Sequence, residues 1–159
     1  MAGLVLFMCL QLSTVSQASL AVVDEQGKTH TVSTADLAKL PRRTIKAVGH
    51  DQQTAEYEGV QLSDLLEHCG VPLGKELRGA RVANFVLIEA EDGYRVALGI
   101  AEVDPSTTDK VVLLAEHKNG ASLPEKEGPF RLVIPDEKRP VRWIRVVKRI
   151  SVQSPTKTN

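Results

Sequence analysis

Val82–Leu98, VANFVLIEAEDGYRVAL, is the stretch whose reading decides the fold class. Val82, Phe85, Val86, Leu87 and Ile88 are dense enough to predict a buried strand over Val82–Glu91. Asp92-Gly93 is a hairpin signal, because these residues tolerate the positive φ of a tight turn, and Tyr94–Leu98 returns as the partner. Working back, Leu20–Val23 and Lys28–Ser33 flank a turn at Asp24–Gly27, and Arg42–Gly49 and Thr54–Tyr57 flank one at His50-Asp51. Working forward, Val111–Ala115, Phe130–Ile134 and Val141–Val152 complete the strands, with a second strong turn signal at Asn119-Gly120 and a polar loop at Pro135–Pro140. One helix is capped by Ser33 or Thr34 and runs to Leu40, where Pro41 stops it. Another is capped by Ser63, carries the stripe Leu62, Leu65, Leu66 and Cys69, and ends at Gly70. Short helices without βαβ alternation predict an α+β fold of mixed, largely antiparallel sheets with two or three short helices.

The 159 residues suit one domain with a real core. Hydrophobic residues at 42% and charged residues at 25% are globular proportions. With 20 basic and 20 acidic side chains and 4% aromatics, the chain lacks both the basic footprint and the stacking platforms of a nucleic-acid binder. The zero sum is uneven along the chain. Residues 47–130 hold 7 basic and 15 acidic side chains, net −8, whereas residues 131–159 hold 8 and 2, net +6. That basic strip reads either as a solvated strand face with a positive tail or as a site for an anionic small molecule or an acidic protein surface.

Residues 1–18 contain no charged side chain, and Gly3–Leu12 is almost continuously apolar. The run is too short for a permanent membrane span. With the small residues of Ser16-Gln17-Ala18 behind it, it reads as a secretory signal over 1–18, which predicts a periplasmic or secreted protein. A single domain over 19–152 and a flexible tail over 153–159 follow. Cleavage would remove Cys9 and leave Cys69 as the only thiol, so no internal disulfide or Cys-x-x-Cys motif is expected. Cys69 on its helical stripe reads as a core residue. His30, His50, His68 and His117 have no metal-ligand spacing, so no metal site is predicted.

From Tyr57 onward, the order of short motifs resembles the molybdopterin-binding domain of the sulfite oxidase family. Tyr57-Glu58-Gly59-Val60-Gln61-Leu62-Ser63-Asp64-Leu65-Leu66 is similar to that family's W-x-G-V-x-L-x-D-L-L. Val112-Leu113-Leu114-Ala115 with Asn119-Gly120 resembles LLAY-x-x-NG, and Gly128 to Pro135 resembles G-x-P-x-R-L-V-V-P. Arg142-Trp143-Ile144 resembles the closing V-K-W-L. Together these pieces cover roughly Tyr57 to Val152.

The resemblance implies a molybdopterin ligand and oxidoreductase chemistry, and it assigns roles to particular residues. Tyr94, after Asp92-Gly93, stands where the family carries a Tyr beside the metal, which makes it the candidate catalytic residue. Arg131 matches the phosphate-facing Arg, and Lys126 falls where the family has a His. His50, Lys138, Arg139 and Arg142 complete the candidate cofactor-binding set. Lys46-Ala47-Val48-Gly49-His50 matches the segment ending C-x-G-N, which puts Ala47 where the family's molybdenum-ligating Cys belongs. The resemblance therefore argues for the fold and against molybdenum. The expectation is an exported binding or accessory module, with a larger redox partner implied by the short chain. The alternative is a minimal molybdopterin-dependent oxidoreductase acting on a small oxyanion.

Overall fold

The computed structural model describes residues 17–155, so all but the last two residues of the expected signal segment, Cys9 among them, and the last tail residues lie outside the described residues. Ten strands and three short helices form two sheets around one apolar core. The α+β expectation holds.

The first sheet begins with β1 (Ser19–Val23) and β2 (Thr29–Ser33), the expected hairpin, and continues through β10 (Val147–Gln153), β5 (Phe85–Ala90) and β6 (Arg95–Gly99). β1 and β10 run parallel, and every other pair in this sheet is antiparallel. β10 extends one residue beyond the expected boundary at 152, with Gln153 opposite Phe85. The second sheet joins β3 (Arg42–Val48), β4 (Thr54–Gln61), β7 (Leu113–Lys118) and β8 (Ala121–Ser122), and β9 (Arg131–Val133) also pairs with β7. Alternation along β5 and β6 turns Val86, Ile88, Val96 and Leu98 inward, where they share a core with Tyr57, Val60, Leu114 and Leu132 of the second sheet.

Helix α1 (Thr34–Leu37) is shorter than expected and carries a complete capping box: the Ser33 hydroxyl accepts from the Asp36 N–H while the Asp36 carboxylate accepts from the Ser33 N–H. The Ser33 hydroxyl, and after it Lys39, holds the Asp36 carboxyl well below the usual carboxylate range. A carboxyl depressed on folding contributes stability that is present above its unfolded pKa and is lost as pH falls through the folded value. Ser33→Ala should cost about 1 kcal/mol at neutral pH. Thermal melts should show that difference shrinking in strong acid.

Helix α2 (Leu62–His68) corrects one expectation. Its N-cap is Gln61, not Ser63, because β4 runs straight into the helix and the Leu62 N–H is held by the Val112 carbonyl at 2.8 Å. Ser63 is instead inside the first turn, buried, with no partner for its hydroxyl. Leu62, Leu65, Leu66 and Cys69 are all buried, and Gly70 ends the helix at φ +83°. The third helix, α3 (Ile100–Val103), follows β6 directly.

Two predicted strands are also shorter than expected. Gly79–Ala83 forms a 3-10 turn that leaves Val82 exposed, so β5 starts at Phe85. Residues 141–146 are not strand. They strap across β9, with the Leu132 N–H bonded to the Ile144 carbonyl and the Val147 N–H to the Phe130 carbonyl. The strap turns into β10 through Val146 at φ +50°. A β-branched residue in that region is strained by about 1–3 kcal/mol. Hydrogen bonds hold both of its backbone groups, to the Glu127 carbonyl at 3.1 Å and from the Glu91 N–H at 3.0 Å.

Candidate functional site

The strap, the β3–β4 turn and the β5–β6 turn meet at a surface cleft made of three adjoining depressions. The first, about 340 Å³, is lined by His50, Asp92, Tyr94, Val141, Trp143 and Arg145, among others. A smaller one, about 120 Å³, is lined by Gly49, His50, Asp51, Tyr57, Lys118, Glu127, Arg131 and Arg145, two carboxylates among three cations. A third is bounded by Glu91, Asp92, Lys126, Arg145 and Val146. Arg145 borders all three.

Of the residues singled out in the sequence, His50, Tyr94, Lys126 and Arg131 come together around this cleft. Tyr94 is half exposed and its hydroxyl donates to the Val141 carbonyl at 2.9 Å, so the ring forms one lip of the first depression. Lys138 and Arg139 are exposed on the loop after β9 and line none of the three depressions. Arg142 is tied into a carboxylate network, 2.5 Å from Glu137 and 3.4 Å from Glu102, which also pairs with Lys110.

Arg131 is the most deeply set of these cations, at 4% exposure. Its guanidinium packs beside two aromatic rings that touch each other, 5.6 Å from the Tyr57 centroid and 5.7 Å from that of Trp143. The rings meet edge to face at 5.9 Å, and the Trp143 indole N–H donates to the Ile134 carbonyl at 2.9 Å, so the cage is fixed. Glu127 is the ion-pair partner of Arg131, and the Arg131 Nε is buried with no acceptor. Lys118 Nζ lies 5.8 Å from the Tyr57 centroid. The cleft thus presents a caged cation, a second lysine and, in Arg145, a guanidinium with no ion-pair partner among the described residues.

Arg145, Tyr57, Lys118 and Glu127 were absent from the sequence-based set. Arg145 was the nearest to being found, since it follows directly on Arg142-Trp143-Ile144.

Residues 11–159 match the family model of the oxidoreductase molybdopterin binding domain. The chain belongs to that family. Among solved structures, the crystal structure of the sulfane dehydrogenase SoxCD from Paracoccus pantotrophus is similar, with a TM-score of 0.66 and 23% identity. The likeness covers 86% of this chain and 38% of that one, and it speaks for the fold. None of the curated proteins matches this chain.

Family membership raises the question of whether the donors present suit a thiolate-held molybdenum. Ala47, which the resemblance matches to the family's Cys, is buried at 5% exposure in the apolar core. Cys69 is buried too. Burial, and after it the charge of Asp24, pushes its thiol up to about 11. It borders a separate depression with His30 and His68 that shares no residue with the cleft. The thiolate-held molybdenum that the resemblance implies would need a Cys at the cleft, and among the described residues the donor set there does not supply one.

Proposed function

We propose that this chain is an exported binding or accessory module of the molybdopterin-binding family, that it does no molybdenum chemistry of its own, and that its cleft takes an anionic small molecule. The observation that carries the reading is the pairing of a methyl group at position 47 with an intact cationic cleft. Position 47, where the resemblance expects the metal's thiolate, is an alanine, while Arg131, Lys118, Lys126 and Arg145 border the surface where an anion would sit. Tyr94 and Trp143 beside Arg145 offer an aromatic wall for the body of such a ligand. Molybdopterin, itself an organic phosphate, is the first candidate that family membership puts forward. A larger redox protein that covers the open cleft is the partner this reading anticipates.

A second reading, a minimal molybdopterin-dependent oxidoreductase acting on a small oxyanion, draws support from Tyr94 and His50 lining one depression. Protein purified from its native compartment separates the two. The first reading expects molybdenum well below one atom per chain, and a stoichiometric content would overturn it in favour of the second. The anion site has its own test, calorimetric titration with inorganic phosphate. Arg145→Ala removes a charge-assisted contact and should weaken binding about 10- to 100-fold. Because Arg145 is exposed and unpaired, its melting temperature should stay unchanged.

A further inference from the structure

In the free protein the smaller depression already contains an anion of the chain's own. The Glu127 carboxylate pairs with Arg131 Nη1 and lies 3.7 Å from Lys118 Nζ, and its side chain is 22% exposed. A guanidinium as deeply set as Arg131 is costly to leave unpaired, so Glu127 stabilises the empty site. Its carboxylate leaves other donors of the depression unused. Arg131 Nε has no acceptor, and His50 and Arg145 have no side-chain partner among the described residues.

We infer that Glu127 is the resident occupant of the anion site, and that a doubly charged tetrahedral oxyanion of the phosphate or sulfate type displaces it. The inference rests on the anion-binding reading of the cleft and adds the device that sets its selectivity. A tethered carboxylate competes at an effective concentration of about millimolar or more. A free monocarboxylate offers the same two oxygens, one to Arg131 and one toward Lys118, and gains nothing by replacing it. A tetrahedral dianion brings additional oxygens that engage Arg145 and His50 as well. The depression, at about 120 Å³, suits a compact ion or the head of an ester whose body continues into the neighbouring depression past His50 and Arg145, which the two share. The Glu127 carbonyl also accepts the Val146 N–H, so the residue that is displaced is joined to the strained turn that carries Arg145.

The test is calorimetric titration of the full chain with inorganic phosphate, phenyl phosphate and acetate. Wild type should bind at least one phosphate compound and show no acetate binding. Glu127→Gln should bind that phosphate compound about tenfold tighter and make acetate binding measurable. A preference for phenyl phosphate would mark the ester, and equal affinities the free ion, with the Glu127 effect expected in either case. If Glu127→Gln leaves phosphate affinity within about twofold of wild type while Arg145→Ala abolishes it, the cleft binds anions and the role given to Glu127 is wrong. If neither wild type nor Glu127→Gln binds either phosphate compound, the anion-binding reading falls with it. Should Glu127→Gln fail to fold, Glu127→Asp carries the same test. Its carboxylate is retained but one methylene short of Arg131, and absence of the gain there overturns the proposal.

Discussion

Gly59→Ala is expected to destabilise the chain by more than about 4 kcal/mol, a large share of the about 5–15 kcal/mol that keeps a domain folded. A Cβ at that position would lie 2.0 Å from the Leu114 carbonyl oxygen and 2.7 Å from the Ala115 Cα. Both atoms belong to the backbone of β7, so no side chain can swing aside to relieve the overlap. The contact falls where the β4–β7 register shifts between Glu58 and Gly59, and Ala115 is itself paired with Arg131 on β9. Pushing β7 away would therefore disturb the strand that carries the caged cation. Urea denaturation of Gly59→Ala beside Gly27→Ala checks this. Gly27 sits at φ +83° with open space around it, so its variant should lose only about 1 kcal/mol. Equal losses in the two variants would mean that the close approach at Gly59 is not what the glycine serves.

That close approach also explains why part of the fold was legible in the sequence. The glycine of Tyr57-Glu58-Gly59-Val60 marks a place where two strands nearly touch, and such a constraint leaves a local signature. The turn signals were equally local. Gly93 takes φ +86°, and Asn119 and Gly120 take φ +52° and +79°, as a hairpin of that type needs. The misreadings came from non-local partners. Ser63 has the chemistry of a cap, but strand β4 delivers the chain to α2 already held by Val112, fifty residues beyond Leu62. Residues 141–146 alternate well enough for a strand, yet the hydrogen bonds that Leu132 and Val147 make with the strap fold it over β9.

The site divides in the same way. Excess positive charge after residue 130 was visible by counting, and it does border the cleft through Arg131 and Arg145. Counting could not tell a free cation from a neutralised one. Arg142 and Arg145 are three residues apart and look alike in sequence. Glu102, forty residues upstream of Arg142, and Glu137 occupy the first and leave the second facing the depressions. Nor could a burial pattern show that Tyr57, read as the start of a motif, supplies one wall of the cage around Arg131.

Arg131 is where stability and function can be separated. Arg131→Ala should cost about 2–5 kcal/mol, because it removes a buried side chain that packs beside both Tyr57 and Trp143 and leaves a cavity. Arg131→Met should behave differently. A flexible apolar side chain of similar length refills the cage, and replacing an ion pair by good packing is often neutral or stabilising. Glu127 is partly exposed and has Lys118 at 3.7 Å, so its carboxylate is not stranded. The Met variant should therefore melt within about 3 °C of wild type while phosphate binding drops at least about tenfold. If Arg131→Met were as unstable as Arg131→Ala, the guanidinium would be holding the fold together. If it were stable and still bound phosphate normally, Arg131 would not be part of the anion site. A stable protein that has lost its ligand is the outcome that assigns a caged, costly cation to binding, since packing alone could be met by a methionine.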